Sequence, residues 1–600
     1  MILIFGGTTE GRAAVKVVAE SGKAYLYSTL TSGQQLETPA GEHISGRMTA
    51  ESMRQLCLER EIRLIVDAAH PFAVGLHGTV AEVAGELHLP VIRYERRPVA
   101  GDMPGVIWCG SYEEAVKRLE TDGVERLLIL TGVRTLPRLK PFWEKHACRF
   151  RILDREESLK DALACGVPRE DILYYHPDES ELDVWRRESP QAVITKESGE
   201  SGRFPEKVAA AQELGIPLYV VRRPALPAAF HTVYTESGLR RRIEDFLPDF
   251  FSLKSGYTTG TCACAAACAA LYTLLTGHPA DTITVALPAG ERVTLPVENI
   301  TVGSRSVRAA VIKRSGDDPD VTNGCEITVE VALNGSGEIR FLQGEGVGQV
   351  TLPGLGIPVG EPAVNPAPRR MIRDNFEAMG VRGADVTVSV RDGERLAQKT
   401  FNSRLGIVGG ISIIGTSGIV RPFSNEAFVA SIEQSVKVAA ATGCTRLVLN
   451  SGARSEAVLR QCFAGLPPQS FIQYGNFIGA TLAIAARYPF EQVVLGIMTG
   501  KAVKLAEGHL DTHSRLQTVN RDFLVRVADE AGCSPAVAGI IRQMTLAREL
   551  QTALEPADRD KFFRELLVRC MQHCKPLFPA GKLTVLLISE DGNILYDNYY

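Results

Sequence analysis

Residues 1–11 read Met1-Ile2-Leu3-Ile4-Phe5-Gly6-Gly7-Thr8-Thr9-Glu10-Gly11, and this stretch decides the fold of the first part of the chain. Ile2–Phe5 is an apolar run of the kind buried on both faces of a parallel sheet, and a glycine-rich turn follows before a helix-period segment from Gly11 to Ser21. A turn of that composition between strand and helix leaves backbone N–H groups at a helix N-terminus, where a phosphate is bound well. Gly6, Gly7 and Gly11 do not follow the G-x-G-x-x-G spacing; a tight structural turn is the bland alternative to a phosphate site formed by Gly6, Gly7, Thr8, Thr9 and Gly11.

Working outward, the runs KAYLYSTL, RLIVDAA, PVIRYE, RLLILTG, CRFRIL, QAVITKES and PLYVVRRP read as further strands. Helix-period segments such as Phe72–Leu87 and Arg203–Leu214 lie between them, and this alternation over the first 225 residues predicts parallel α/β sheets. The loop and helix around Val133 to Lys145 sit near the middle of the region, which suits two Rossmann-like lobes with a cleft between them. The second strand ends Tyr27-Ser28-Thr29-Leu30-Thr31-Ser32, with hydroxyls and no carboxylate. An acidic residue there would favour NADH; its absence, with Ser28 and Thr29 in its place, favours NADPH. Asp67-Ala68-Ala69-His70-Pro71 closes another strand, with Pro71 suited to the first turn of the next helix. Asp67 and His70 suit orientation of a substrate carboxylate or a proton relay, and a capping Asp with a structural His is the alternative. Thr195-Lys196-Glu197-Ser198-Gly199-Glu200-Ser201-Gly202 is the matching loop of the second lobe; Lys196 and the hydroxyls suit an anionic ligand, and a solvated loop is the alternative.

A charged amphipathic segment from Gly238 to Phe251 leads to a boundary near residues 250–255, beyond which the texture changes to Gly, Ala and Thr. A strand-dense stretch runs from Asp281 to Gln343, followed by a loop-rich middle, more α/β alternation through LVLN and VVLGIM, and a terminal hairpin with an Asp-Gly turn. The expected architecture is α/β throughout: two parallel-sheet lobes in residues 1–250, and a separate multi-lobed α+β unit in residues 255–600. Candidate ligand contacts in this second part are the helix entry Thr258-Thr259-Gly260, the acid-rich turn with Asp317 and Asp318, Asn365 and Arg369 in a proline-rich segment, and Lys501, Lys504 and His513 in GIMTGKAVKLAEGHLDTHS. Arginines and helix N-termini are the groups that hold carboxylates.

Two family resemblances emerge from these motifs taken in order. GGTTEGR, DAAHPFA, RYERRP, LTG and VITKESG resemble the precorrin-6A reductases over residues 1 to about 245. GYTTGTCA, GDDPDVTNG, GEGVG, NPAPR, TFNSRLGIVGGISIIGTSGIV, NFIG and GKAVKLAEGHLDTHS are similar to the cobalt-precorrin-5B C1-methyltransferases from about Gly256 onward. The first resemblance implies hydride delivery from NADPH to ring carbon C19; the second implies methyl transfer from S-adenosylmethionine to C1 by an enzyme unlike the common Rossmann methyltransferases. Together they imply consecutive steps on a cobalt-bearing tetrapyrrole. The alternative is that only one half is catalytic and the other a tetrapyrrole-binding scaffold. Glu197, Glu200 and Asn323 depart from the usual family patterns.

The 600 residues are too many for one core; 45% apolar and 23% charged residues are ordinary for a globular chain. A net charge of −4 and a pI near 6.3 give no reason to expect nucleic acid or an anionic membrane as partner. No apolar run reads as a membrane span and no leader is evident, so a cytoplasmic location is expected. The 13 cysteines lack zinc-site spacing and are expected as reduced thiols, with no protein-bound metal. Oligomeric state is open.

Overall fold

The computed structural model describes residues 1–31, 40–96, 103–198, 203–513 and 519–597. Ser32, Arg97 and Pro98 of the RYERRP motif, Gly199 to Gly202 including Glu200, and Ser514 lie outside the described residues. By internal contacts the chain forms two units, one of Met1–Ser252 with Ala289–Glu291, the other of Leu253–Pro288 with Arg292–Tyr600.

The first unit contains twelve strands in two six-stranded parallel sheets. Strands β1 to β5 are Ile2–Phe5, Tyr25–Thr29, Gly41–Ser45, Leu64–Asp67 and Val91–Tyr94; β6 to β11 are Val106–Cys109, Arg126–Ile129, Ala147–Leu153, Ile172–Tyr175, Ala192–Lys196 and Leu218–Val221; β12 is Phe230–Val233. The first sheet runs β12-β5-β4-β1-β2-β3 and the second β6-β11-β10-β7-β8-β9. The apolar character of β1, β4, β5, β10 and β11 follows from burial on both faces, since every residue of β1 and β4 is buried. The chain therefore enters the second sheet at its edge through β6 and returns through β12 to the edge of the first.

In each sheet the strand order reverses direction at one place. In the first, β1 leads to β2 on one side, whereas β4 lies on the other side of β1. In the second, β7 leads to β8 on one side and β10 lies on the other. A crevice at the carboxyl ends of such neighbouring strands is where open α/β sheets take ligands. These two places are the Gly6–Thr9 and Ala68–His70 loops, and the Leu130–Gly132 and Lys196–Glu197 loops.

One local expectation is corrected. The helix after β4 spans Val74–Glu86 with Ala73 as its N-cap, so Pro71 precedes the helix instead of starting it. Pro71 and Phe72 form a turn closed by the Ala73 N–H donating to the His70 carbonyl at 2.8 Å.

The second unit begins with the helix Thr259–Thr276, packed against a five-stranded sheet in the order Asn299–Val302, Ser306–Ile312, Glu326–Leu333, Ala384–Val390, Ile339–Gln343. This 18-residue helix is long and apolar enough to cross a membrane, which corrects the reading that no such run exists; 78% of it is buried. Its alanines and cysteines are the core beneath the sheet, where small residues let the helix approach the strands closely. Further along, Phe471–Gln473, Arg446–Asn450, Gln492–Met498 and Lys582–Ile588 form a parallel sheet, closed by antiparallel Ile594–Asp597 of the expected hairpin. Helix Ala453–Cys462 covers one face of it, and helices Asn425–Ala441, Ile478–Ala485 and Thr499–Ala506 the other. Its reversal of strand order falls between Arg446–Asn450 and Gln492–Met498.

Candidate active sites

The cleft of the first unit is built at the carboxyl ends of both parallel sheets. Thr8 caps the helix Thr9–Ala19 by accepting from the Gly11 N–H, and its hydroxyl donates to the Ala68 carbonyl at 2.7 Å, tying the β1 turn to the β4 loop. A side chain on Gly6 would stand 2.3 Å from the Tyr27 ring, so the turn lies directly over this tyrosine, whose hydroxyl accepts from the Gly7 N–H. Gly7 has φ +92°, and the position a side chain would take there is open space. That opening at a helix N-terminus fits the pyrophosphate of a dinucleotide.

Ser28 and Thr29, expected to face a 2′-phosphate, are buried in β2. The Thr29 hydroxyl is bound to His43 Nε2 at 2.7 Å and donates to the Thr31 carbonyl. The hydroxyl is spent within the protein because β3, unrecognised in the sequence, lies alongside and brings His43 to it.

Asp67 is fully buried. It is bound to His77 Nδ1 at 2.6 Å, to Arg93 at 2.9 Å and to the Ala69 N–H. Burial pushes its carboxyl pKa up, but the His77 hydrogen bond and the Arg93 charge outweigh this and hold it below the ordinary value. Asp67 thus organises the β4 loop from beneath. His70 projects from that loop with its surface open. Its Nδ1 accepts from the Phe72 N–H at 3.2 Å, which leaves Nε2 as the protonated nitrogen. Desolvation by the cleft walls, then the charges of Lys196, Arg96 and Arg93, lower its pKa to about 4, so the ring is neutral at physiological pH.

Lys196, the last residue of β10, reaches the same place: its ammonium lies 5.3 Å from the centroid of the Phe72 ring. Burial and the charge of Arg134 lower its pKa to about 8. The lobes are joined beside it by Arg96, which pairs with Glu10 through two bonds of 2.8 and 2.9 Å and donates to the Ser198 carbonyl. Glu197 accepts from the Arg223 N–H, and Arg223 in turn reaches Glu95. His70 and Lys196 were each legible in the sequence as candidates, one in each lobe, and the structure brings them near each other; Arg96, Glu10, Arg134 and Phe72 were missed. The only signal for Arg96 was its place in RYERRP, directly after a strand.

In the second unit most of the expected contacts are committed within the protein. Thr258 caps the helix Thr259–Thr276 by accepting from the Thr261 N–H. The Thr259 hydroxyl bridges the Ile414 backbone, accepting from its N–H at 2.8 Å and donating to its carbonyl, so it fixes the GISIIGTSG segment instead of facing a ligand. A side chain on Gly260 would meet Pro368 at 2.7 Å. Asp317 accepts from the Lys254 N–H and Asp318 from the Phe423 N–H; burial raises the Asp318 pKa. Asn323, where the family pattern has histidine, accepts from the Ser315 N–H. Arg369 donates to the Val364 and Pro362 carbonyls, pairs with Glu361 and lies over Phe341, which corrects its reading as a carboxylate clamp.

Lys501 donates to the Gly475 carbonyl at 2.6 Å and to the Asn476 side chain, and burial followed by the charge of Lys504 lowers its pKa to about 8. The Lys504 amino group donates to the Thr512 carbonyl, and its pKa is lowered by burial. The His513 N–H donates to Asp511. These groups bind together the loops at the carboxyl edge of the Arg446–Asn450 sheet. There Asn450 is fully buried, and its Oδ1 has no hydrogen-bond partner among the described residues. Asn365 stands apart from them, at the start of helix Pro366–Ala378, without capping it.

Fold and sites therefore define a two-part enzyme, a reductase of the two-lobed parallel-sheet kind followed by a separate transferase. Residues 1–239 match the family Precorrin-6x reductase CbiJ/CobK, residues 248–422 match CbiD, and residues 511–599 match CbiD, C-terminal domain. The cobalt-precorrin-5B C(1)-methyltransferase of Prosthecochloris aestuarii is 43% identical over 357 residues, which cover 58% of this chain and 97% of that relative. The Burkholderia multivorans protein of the same name is 44% identical over 334 residues, covering 55% and 92%. A solved CobK precorrin-6A reductase aligns over 41% of this chain and 96% of its own, at 22% identity and a TM-score of 0.34. The chain belongs to the cobalt-precorrin-5B C1-methyltransferase family and carries a precorrin-6x reductase ahead of it, a bifunctional enzyme of cobalamin biosynthesis.

Proposed function

We propose that the second unit methylates C1 of cobalt-precorrin-5B with S-adenosylmethionine and that the first reduces the resulting cobalt-precorrin-6A to 6B with NADPH. The observation that carries the reductase half is the meeting of Lys196 and His70 where the ligand-binding edges of both sheets adjoin. NADPH supplies the hydride. Gly6, Gly7, Thr8, Thr9 and Gly11 hold its pyrophosphate on the helix N-terminus, and no carboxylate at Thr29 to Thr31 opposes a 2′-phosphate.

Reduction of a conjugated ring bond needs a proton as well as a hydride. Lys196, with its pKa near 8, is charged at neutral pH yet a far better acid than an ordinary lysine. It holds that proton at Nζ. His70, neutral and protonated at Nε2, donates a hydrogen bond into the cleft without adding charge. The acetate and propionate groups of the macrocycle are met by the cations that line the cleft, with Arg134 exposed beside Lys196. In the methylating unit, transfer is a matter of approach and alignment, so its residues act by positioning donor and ring.

The test supplies purified protein with cobalt-precorrin-6A and follows oxidation of NADPH or NADH. NADPH oxidation matched by two-hydrogen reduction of the ring is expected. Equal use of NADH would remove the cofactor assignment, and no reduction would remove the reaction.

A further inference from the structure

The methylating unit contains a partly open cavity of about 210 Å³ that none of the committed residues above explains. It lies between the TFNSRLGIVGGIS loops and the helix Asn425–Ala441, and its floor is the strand Phe471–Gln473 with the Pro468–Gln469 turn before it. Phe401 and Phe428 are aromatic walls. The side-chain amides of Asn365, Gln434 and Gln473 also line it, and they make no hydrogen bond to other described residues. A carboxamide carries a donor and an acceptor together, the pair that matches the edge of a purine base.

Size and charge decide what the cavity takes. Sites for drug-sized ligands start at about 300 Å³, so this cavity admits one nucleoside-sized group and excludes a macrocycle. Among the described residues no acidic side chain lines it, and the one cation, Arg404, is paired with Glu456 through both terminal nitrogens. A polycarboxylate would find no free charge here, whereas a neutral base and ribose find amides and aromatic faces.

Its place in the fold agrees. Gln473 Nε2 lies 3.7 Å from where a side chain on Gly452 would stand, and the Phe428 ring lies 2.9 Å from the corresponding position on Gly475. One end of the cavity thus lies beside the two loops that leave the carboxyl edge of the sheet, at its edge strand Phe471–Gln473, and Lys501 secures one of them through the Gly475 carbonyl. We infer that this cavity binds the adenosyl group of the methyl donor, an assignment that rests on the S-adenosylmethionine dependence proposed above.

The experiment measures S-adenosylhomocysteine binding to the full chain by calorimetry for wild type, Gln473→Leu and Ser435→Phe. The first variant removes an amide and the second fills the space, since Ser435 lines the cavity. Both should weaken binding by about tenfold or more, one hydrogen bond's worth in affinity, with an unchanged melting temperature of the second unit as the check on folding. If wild type binds S-adenosylhomocysteine and both variants bind it equally well, the cavity assignment is overturned while the donor dependence stands. If wild type binds none, the donor dependence itself fails. ATP competing with equal affinity would make the cavity a general nucleotide site and also overturn the assignment. Should Ser435→Phe fail to fold, Gln473→Leu and Gln434→Leu decide by the same readings.

Discussion

The proposed reduction makes Lys196 the proton donor, and its titration gives a quantitative test. Burial and the neighbouring Arg134 take it from its ordinary 10.5 to about 8, equivalent to about 3 kcal/mol of bias against the charged form. The charged form is the acid, so it is populated below pH 8 and lost above it. With saturating NADPH and cobalt-precorrin-6A, the rate should be flat near neutrality and fall about tenfold per pH unit above pH 8. Lys196→Met removes the acid and should lower the rate by about 10²- to 10⁴-fold, abolish that limb and leave NADPH binding in place. Arg134→Gln removes a like charge, so the Lys196 pKa rises and the limb moves to higher pH. Stopped-flow absorbance of NADPH across pH 6 to 10 measures all three. A limb that persists in Lys196→Met, or that moves to lower pH in Arg134→Gln, would refute the assignment.

Other consequences follow from groups committed inside the protein. Replacing Arg93 with Met removes the guanidinium shared by buried Asp67 and Glu95, leaving them only His77 and Arg223 as ionic partners, and should cost about 3 kcal/mol, read as a fall in the melting temperature of the first unit. Thr259→Val takes the hydroxyl acceptor from the Ile414 N–H, whose carbonyl keeps the Gly260 N–H, costing about 1 kcal/mol in chemical denaturation, and lowers methylation by loosening the GISIIGTSG loop, with reduction of supplied cobalt-precorrin-6A unchanged. Gly260→Ala places a methyl group 2.7 Å from Pro368 and 2.9 Å from the Ile414 carbonyl, and should cost about 1–3 kcal/mol by the same measurement.

The sequence made the central strands of the first unit legible because their apolar runs are buried on both faces. Strand Gly41–Ser45 escaped notice because its residues are half-exposed and polar. Strands β6 and β12 cross to the opposite lobe's neighbourhood at sheet edges, a pairing over long sequence distance that local periodicity does not encode. Glycine-rich turns and strand ends pointed to the carboxyl edges of the sheets, where the Gly6–Thr9, Ala68–His70 and Lys196–Glu197 loops lie. They could not show which polar groups the protein spends on itself: Asp67 on Arg93 and His77, Thr29 on His43, Arg369 on its own backbone. Hydroxyls and charges near a ligand edge look the same in sequence whether they face the ligand or hold the loop that does. The cavity under Phe428 was invisible for a related reason, since its amides come from segments far apart in the chain.

The central claim is that one chain carries two successive steps on one macrocycle. The most direct measurement is mass spectrometry of cobalt-precorrin-5B incubated with the purified full-length protein, first with S-adenosylmethionine alone and then with NADPH added. The account predicts a gain of one methyl group in the first stage and of two hydrogens in the second. No methyl gain, with reduction of supplied cobalt-precorrin-6A intact, would contradict it and leave the second unit a binding scaffold.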